Sequence, residues 1–232
     1  MNKSVNTLLF LAGGGNKKDS LKIDTSFVKS LKNKKIVYIP LALEPSINGY
    51  ESCFDWISST ISDRLTGEFV DISMWTDLNN KKESDLNNFD AIYIGGGNTY
   101  NLLKKIKETK FDQILINFYK NGGVVYGGSA GAIICGYNIA TVSEENKISY
   151  SNSHGLNLVN DYSILCHYTK DQENKVFKYI KENKMPVIGI PEKSGLIIKN
   201  GHIGSVVGYE PIYIFNIDCS VKIVNFDENI SI

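Results

Sequence analysis

Residues 122–132 have the sequence Gly-Gly-Val-Val-Tyr-Gly-Gly-Ser-Ala-Gly-Ala. The apolar run predicts a buried strand, and the small residues after it predict a tight turn that leads directly into a helix. Within that turn, Gly127-x-Ser129-x-Gly131 matches the nucleophile-elbow pattern, in which a serine lies at a sharp bend between strand and helix. The pattern also occurs by chance in glycine-rich turns, so a reactive Ser129 requires partners elsewhere in the chain.

The need for small residues around Ser129 has a physical explanation. A serine held in such a bend needs neighbours without side chains, because the strained backbone and the adjacent helix leave no room for Cβ atoms. Its hydroxyl then lies at a helix N-terminus, where partial positive charge favours developing negative charge. We therefore predict Ser129 as a nucleophile and the backbone N–H of Ala130 as one donor of an oxyanion hole.

A second glycine cluster, Gly95-Gly96-Gly97, follows another apolar run and opens another predicted helix. Such a loop exposes unpaired amides to an anion or an oxyanion. It matches neither the dinucleotide pattern G-x-G-x-x-G nor the Walker phosphate loop. Because an oxyanion hole commonly takes its second amide from a loop on a neighbouring strand, we predict that donor at Gly97.

Outward from these loops, short apolar runs alternate with longer stretches of helical spacing. Continuous apolar runs, typical of parallel strands covered on both faces, lie at 8–11, 36–39, 69–72, 91–94, 124–126 and 187–190. Helical spacing covers 50–65, 111–118 and 171–182. After Pro191, short strand-like segments and Asn200-Gly201 predict an antiparallel edge with a hairpin. The sequence thus predicts a three-layer α/β/α sandwich with a mostly parallel central sheet and an antiparallel C-terminal edge, in a single catalytic domain of residues 1–232.

Composition excludes several classes of protein. Lys plus Arg and Asp plus Glu both number 25, which argues against a nucleic-acid partner or an anionic membrane held by bulk charge. The hydrophobic share of 42% excludes a disordered or fibrous chain. No run approaches the ~18 apolar residues of a membrane span, and the first run is shorter than the ~7 residues of a signal-peptide core. We therefore expect a cytoplasmic protein, as a monomer or small homo-oligomer.

Two residue types limit the available chemistry. Arg64 is the only arginine, so any bidentate guanidinium contact to an anion has to come from it. Cys53, Cys135, Cys166 and Cys219 lack C-x-x-C spacing, and we expect free thiols rather than disulfides or metal ligands.

A serine nucleophile needs a base, and the chain has three histidines. His154 lies in a polar segment and His202 follows the hairpin signal, so both are predicted at the surface. His167 ends the apolar run 163–166, at a strand tip where sites form in parallel sheets, and we predict it as the base. Its orienting acid stays open, because spacing alone does not choose among the candidates. These are Glu192, which follows the strand at 187–190, and Glu144, Glu145, Asp161 and Asp171.

Four blocks of the sequence resemble the peptidase E group of serine peptidases, which includes aspartyl dipeptidases and the related cyanophycinases. The blocks are Tyr93-Ile-Gly-Gly-Gly-Asn-Thr-Tyr100, Gly127-Gly-Ser-Ala-Gly-Ala132, His167-Tyr-Thr169 and Gly189-Ile-Pro-Glu192. They occur in the order found in that family. Four ordered blocks are much more specific than any one of them.

The resemblance implies a parallel α/β/α sandwich that hydrolyses short peptides, with neither a metal ion nor an organic cofactor. It implies Ser129 as nucleophile, His167 as general base and Glu192 as orienting acid, with oxyanion amides at Gly97 and Ala130. It also places a supporting carboxylate near Glu144.

Two departures from the family concern the substrate. The arginine-bearing segment that follows the catalytic histidine of aspartyl dipeptidases is missing after His167, and Lys193 replaces a small residue. Lys170 or Lys193 would attract a carboxylate only as a less directional charge. The resemblance therefore carries the catalytic residues over better than the substrate, and we expect a preference for an acidic first residue.

Two other functions compete with a serine hydrolase. A small-molecule binding or sensing module would use the two glycine loops as an anion cradle without covalent chemistry. A glutaminase-type amidotransferase shares the elbow but normally carries cysteine there, whereas Cys135 lies inside the predicted helix.

Overall fold

The computed structural model of the chain describes residues 6–45, 49–65, 67–142, 144 and 146–231. Within these ranges the strands are β1 Leu8–Ala12, β2 Lys35–Ile39, β3 Asp71–Met74, β4 Ala91–Ile94, β5 Val124–Gly128, β6 Ser163–Cys166, β7 Val187–Ile190, β8 Ser194–Lys199, β9 Ile203–Gly208, β10 Ile212–Phe215, β11 Val221–Val224 and β12 Asn229–Ser231. The α-helices are α1 Leu21–Ser30, α2 Glu51–Ser62, α3 Thr99–Glu108, α4 Phe111–Lys120, α5 Ala130–Cys135 and α6 Glu173–Asn183.

The larger sheet has the strand order β12-β9-β8-β1-β5-β4-β2-β3. Its strands β1 to β5 are parallel, and β8, β9 and β12 add an antiparallel edge. The hairpin predicted at Asn200-Gly201 joins β8 to β9. The predicted α/β fold with a mostly parallel sheet and an antiparallel edge is confirmed.

A second, smaller sheet, which the sequence did not predict, has the order β11-β10-β7-β6. Its strands β6 and β7 are parallel, and β10 and β11 continue it in antiparallel pairing. The chain passes from the smaller to the larger sheet between β7 and β8, at Pro191. Apolar runs identify strands but do not specify which strands pair, so the sequence analysis placed all of them in one sheet.

The core shows why the strands are apolar throughout. In β5, Val125 packs in a cluster with residues of α3, α4 and α5, whereas Val124 and Tyr126 pack in a second cluster with residues of α1 and α2. Since both faces of the larger sheet are covered, neither face carries a polar row. The smaller sheet contributes Ile164 and Ile188 to the first cluster, and α6 covers its other face.

Two predicted boundaries move. The strand expected at 69–72 is β3, which begins at Asp71, and Phe69 before it is 85% exposed. Only one neighbour pairs with β3 at the edge of the sheet, so its apolar pattern is weak. Helix α2 is shorter than the spacing suggested, since Tyr50 precedes it and Leu65 follows its end. Among the described residues, no helix has both the length and the apolar character needed to cross a membrane.

Helix α5 lies directly against β4, and this contact fixes the position of the elbow. A Cβ atom on Gly131 would lie 2.3 Å from the carbonyl oxygen of Ile94, the last residue of β4. A backbone oxygen in a sheet cannot move aside as the end of a side chain can. Glycine at 131 therefore allows the start of α5 to lie on the carboxyl end of the parallel strands.

We predict that Gly131→Ala lowers the free energy of unfolding by about 1–3 kcal/mol, because the added methyl group forces α5 away from β4. Urea denaturation followed by circular dichroism measures this change. Gly128→Ala is the matched control, since its Cβ would meet no atom nearer than 3.7 Å, and we expect a change within about 0.5 kcal/mol. Equal unfolding free energies for the two variants would contradict this packing.

Candidate active site

Ser129 occupies a strained bend between β5 and α5, as the sequence predicted. Its backbone has φ 49° and ψ −113°, a region that side-chain-bearing residues rarely adopt and that costs roughly 1–3 kcal/mol. Surrounding hydrogen bonds hold it there. Its N–H donates to the carbonyl oxygen of Ala12 at 3.1 Å, and its own carbonyl oxygen accepts from Ala132 and Ile133. The hydroxyl therefore projects above the carboxyl ends of the parallel strands at a helix N-terminus.

The imidazole of His167 lies beside this hydroxyl. Ser129 Oγ is 2.8 Å from His167 Nε2, and His167 Nδ1 is 2.9 Å from Glu192 Oε1. His167 follows β6 and Glu192 follows β7, and the parallel register pairs Cys166 with Ile190. Both side chains thus leave the same edge of the smaller sheet, which faces the elbow of the larger one. The structure brings together the three residues that the resemblance assigned to one site.

These distances form a continuous hydrogen-bond chain. In the tautomer with its proton on Nδ1, His167 donates to Glu192 and accepts from the Ser129 hydroxyl at Nε2. Nε2 can then take the proton of Ser129 while the carboxylate holds the ring in place. The side chains of His167 and Glu192 are 46% and 56% exposed, so the chain of hydrogen bonds is open to water on one side.

Three glycines that follow β1, Gly13-Gly14-Gly15, pack against this site, although they were not predicted to belong to it. A Cβ atom on Gly13 would lie 2.0 Å from the carbonyl oxygen of Pro191, and one on Gly14 would lie 2.1 Å from Cε1 of His167. The carbonyl oxygen of Gly13 accepts the N–H of His167 at 2.9 Å. The signal was present in the sequence, since Gly13-Gly14-Gly15 follows a buried strand just as Gly95-Gly96-Gly97 does.

The second glycine loop leaves free amides next to Ser129. The N–H of Gly95 donates to Ile39 and that of Asn98 donates to Ala42, which anchors the loop at both ends. Between them, the N–H groups of Gly96 and Gly97 make no hydrogen bond to any described residue. Gly96 lies alongside the nucleophile, since its Cβ would be 3.1 Å from Cβ of Ser129. The sequence named Gly97 as the donor, and the structure adds Gly96 as the nearer candidate.

The other candidate acids and bases lie elsewhere. Glu144 accepts a hydrogen bond from the N–H of Thr99 at the start of α3, and Asp161 is held by Asn157. Neither they nor Asp171 bonds to His167, and Glu145 lies outside the described residues. His154 bridges to Asn138 and His202 is exposed in the β8–β9 turn, so both are remote from Ser129.

The cysteines do not offer an alternative nucleophile at the elbow. All four are free thiols. Cys135 donates to the carbonyl oxygen of Gly131 within α5, and burial raises the pKa of its thiol to about 12. Burial also raises the pKa of Cys166. Across the described part of the chain, no group of three or more His, Cys, Asp and Glu side chains is arranged to hold a metal ion.

A cavity of about 320 Å³ opens beside the candidate nucleophile and base. Its lining residues include Ser129, His167 and Gly96, with Ser20, Tyr38, Leu43, Cys53, Trp56, Tyr93 and Tyr126. A larger cavity of about 410 Å³ lies at the amino ends of the parallel strands, near Asp90 and Gly122. None of the candidate residues lines it. Only the first cavity adjoins the hydrogen-bond chain.

The cations that could attract an anion do not line this cavity. Arg64 has a side chain only 6% exposed, which lies 3.5 Å from the buried carboxylate of Asp24 and donates to the carbonyl oxygen of Lys17. Lys193 pairs with Glu210 at 4.0 Å. Neither of these cations, nor Lys170, is among the residues that line the cavity beside Ser129.

Comparison with known proteins gives relatives of one kind. The model of peptidase family S51 matches residues 8–206. An uncharacterized peptidase of Listeria monocytogenes is 31% identical over 170 residues, which cover 71% of this chain and 78% of the relative. Peptidase E of Nostoc sp. is 29% identical over 78% of this chain and 76% of its own, and peptidase E of Haemophilus influenzae is 26% identical over 86% and 87%.

Solved structures share the fold. The crystal structure of a peptidase from an acI-B1 Actinobacterium matches with a TM-score of 0.71 at 19% identity, over 99% of both chains. That of a proposed peptidase E protein from Listeria monocytogenes matches with a TM-score of 0.67 at 24% identity, over 88% of this chain and all of the other.

The α/β fold and the relatives together define a peptidase of the serine class. Within that class, the chain belongs to peptidase family S51. The resemblance to peptidase E drawn from the sequence is confirmed.

We predict that Gly14→Ala lowers kcat on a peptide substrate by about 100-fold or more, because the methyl group displaces the imidazole that it would overlap. Gly201→Ala is the control: its φ of +77° is also positive, as is the +118° of Gly14, but nothing lies within 4 Å of its Cβ. Steady-state kinetics on variants shown to be folded by circular dichroism measure the difference. Wild-type turnover in Gly14→Ala would refute the role assigned to this contact.

Proposed function

We propose that this peptidase hydrolyses short peptides through a triad of Ser129, His167 and Glu192. The observation that carries the proposal is the unbroken hydrogen-bond chain from the Ser129 hydroxyl through the imidazole to the carboxylate. Support comes from the elbow backbone at Ser129 and from relatives named peptidase E. In the proposed roles, Ser129 is the nucleophile, His167 the general base and Glu192 the group that orients the ring.

In the first half of the reaction, Ser129 Oγ attacks the scissile carbonyl carbon while its proton passes to His167 Nε2. The C–N bond then breaks, and the leaving amine takes that proton from the imidazolium. The products of this half are an acyl-enzyme on Ser129 and a free amine. Glu192 stabilises the positive charge that the ring carries between the two proton transfers.

In the second half, water takes the place of the amine. His167 removes a proton from the water as the water oxygen attacks the acyl carbon. The imidazolium then returns a proton to Ser129 Oγ as the ester bond breaks. The carboxylic acid leaves and the enzyme is regenerated. The exposure of His167 and Glu192 leaves a direct path for this water.

The negative charge on the carbonyl oxygen requires donors already in place. In our proposal, the N–H of Ala130 supplies one, because the first N–H groups of a helix have no acceptor within it. The glycine loop supplies the other, from Gly97 as the sequence suggested or from Gly96, which is nearer to Ser129. Since both donors belong to the backbone, the site needs no further cation to stabilise this intermediate.

The expected preference for an acidic first residue stays a prediction that the fold and the relatives do not test. The charges around the site argue against it, because Arg64 is paired with Asp24 and, among the described residues, no lysine lines the cavity beside Ser129. We therefore propose a short-peptide hydrolase without assigning it to N-terminal aspartate.

We predict that Ser129→Ala and His167→Ala each lower kcat/KM on cleaved dipeptides by at least about 1,000-fold, because each removes a group that acts on the reacting atoms. Kinetics on a panel of dipeptides and amino-acid p-nitroanilides measure this loss. His202→Ala is the matched control, since this histidine is exposed in a turn away from the site, and it should retain full activity.

A fluorophosphonate probe gives an independent test of the nucleophile. We expect stoichiometric labelling of Ser129 in the wild type and none in Ser129→Ala. Absence of labelling in an active wild-type preparation, or full activity in Ser129→Ala, would remove the triad. Absence of both labelling and peptide cleavage would favour a binding module without covalent chemistry.

We predict different losses for the two candidate carboxylates. Glu192→Gln should lower kcat by about 10- to 1,000-fold, because the amide cannot stabilise the imidazolium and water only partly replaces it. Glu144→Gln should lower kcat by less than about 10-fold, because Glu144 bonds to Thr99 at the end of the glycine loop and not to His167. A larger loss in Glu144→Gln than in Glu192→Gln would reverse the assignment of the orienting acid.

A further inference from the structure

The cavity beside Ser129 has an aromatic floor built by three tyrosines. The rings of Tyr93 and Tyr126 stack with centroids 4.2 Å apart, and Tyr38 meets Tyr93 edge-on at 5.8 Å. Each of the three is at most 4% exposed, so their positions are fixed by packing. Residues tied into a packed aromatic cluster form a rigid surface, against which an entering ring can stack without rearrangement.

The rim of the same cavity is apolar and accessible. Trp56 on α2 is 43% exposed and Leu43 is 36% exposed, and both line the cavity. No motif in the sequence assigns a role to Trp56. An exposed tryptophan at the mouth of a cavity offers a large apolar area that only a bound partner would cover.

Two hydroxyls that line the floor are already hydrogen-bonded within the protein. The hydroxyls of Ser20 and Tyr126 both donate to the carboxylate of Asp24, each at 2.7 Å. Arg64 balances the charge of that carboxylate from within the interior. These two hydroxyls therefore have no spare proton to donate to a polar side chain.

The cavity also has no charge to pair with a charged side chain. Burial raises the pKa of Tyr38, Tyr93 and Tyr126, so their hydroxyls stay neutral near pH 7. Among the described residues that line it there is no Asp, Glu, Lys or Arg, and the imidazole of His167 is bonded to Ser129 and Glu192. An ammonium or carboxylate placed on this floor would lose its water without gaining a partner, which is unfavourable.

We propose that this cavity receives a neutral aromatic or large aliphatic side chain from one of the two residues that flank the scissile bond, and that Trp56 and Leu43 determine this specificity. This inference rests on the proposed function, because it assumes that Ser129 is the nucleophile. A volume of about 320 Å³ accommodates one large side chain and leaves the backbone of the peptide at Ser129.

The test begins with dipeptides that vary one position at a time: Ala-Ala, Phe-Ala, Leu-Ala, Asp-Ala and Lys-Ala, and the same side chains in the order Ala-Phe, Ala-Leu, Ala-Asp and Ala-Lys. We expect the Phe or Leu peptide of one series to have a kcat/KM about 10- to 200-fold above its Asp and Lys counterparts. Faster cleavage of the Asp or Lys peptides in both series would overturn the proposal.

Two variants locate the effect in the cavity. Trp56→Ala should lower kcat/KM for the preferred Phe peptide by about 10-fold while changing Ala-Ala less than about threefold, because only the large side chain loses its contact. Phe69→Ala is the matched control, since Phe69 is an exposed aromatic residue that does not line the cavity. Equal losses on both peptides in Trp56→Ala would overturn the assignment of Trp56.

Leu43→Arg supplies a charge that the cavity lacks. We expect it to raise kcat/KM for the Asp peptide about 10-fold or more relative to the Phe peptide, whereas Leu43→Gln should not. An unchanged Asp-to-Phe ratio in Leu43→Arg would overturn the assignment of Leu43.

Fluorophosphonate labelling distinguishes failure of the specificity proposal from failure of the proposed nucleophile. If Ser129 is labelled but acidic or basic peptides are cleaved fastest, or no dipeptide is cleaved, the specificity proposal fails while the nucleophile stands. If Ser129 is not labelled in an active preparation, the proposed function fails as well.

Discussion

The geometry of the site depends on the backbone at the carboxyl end of β1. The carbonyl oxygen of Ala12 accepts the N–H of Ser129, and that of Gly13 accepts the N–H of His167. The N–H of Gly13 in turn donates to Ser194, two residues after Glu192. Three consecutive bonds from one strand end therefore hold the segments that carry the candidate nucleophile, base and acid. Such close approach is possible because the residues after Ala12 have no side chains.

These bonds also explain how the chain sustains strained backbone at two positions. Ser129 and His167 both have positive φ, of 49° and 53°. Each such residue costs roughly 1–3 kcal/mol and persists only when its surroundings determine its conformation. The hydrogen bonds to Ala12 and Gly13, together with the packing of α5 on β4, hold both residues in these conformations. The orientation of the hydroxyl and the imidazole is thus a property of the folded scaffold before any peptide binds.

Much of this arrangement follows from local sequence. The strand before Ser129, the helix of small residues after it, and the placement of His167 and Glu192 at strand ends are all visible in short segments, because burial and chain direction are local properties. The second sheet was missed because β7 and β8 have similar apolar runs, and nothing local specifies their partners. The close contacts of Gly13 and Gly14 with the site were missed because glycine is favoured both in turns and where two segments approach closely, and the sequence does not distinguish the two cases. The burial of Arg64 against Asp24 could not be predicted, because a lone arginine gives no local sign of such a partner.

The candidate residues come from both sheets, and this has a mechanical consequence. Ser129 follows a strand of the larger sheet, His167 follows a strand of the smaller one, and Glu192 lies in the short segment where the chain crosses between them. A small sliding of one sheet across the other would lengthen the hydrogen bond between Ser129 and His167 without unfolding either sheet. We therefore expect activity to depend on the relative position of the two sheets, and to be lost at smaller distortions than those that unfold the protein.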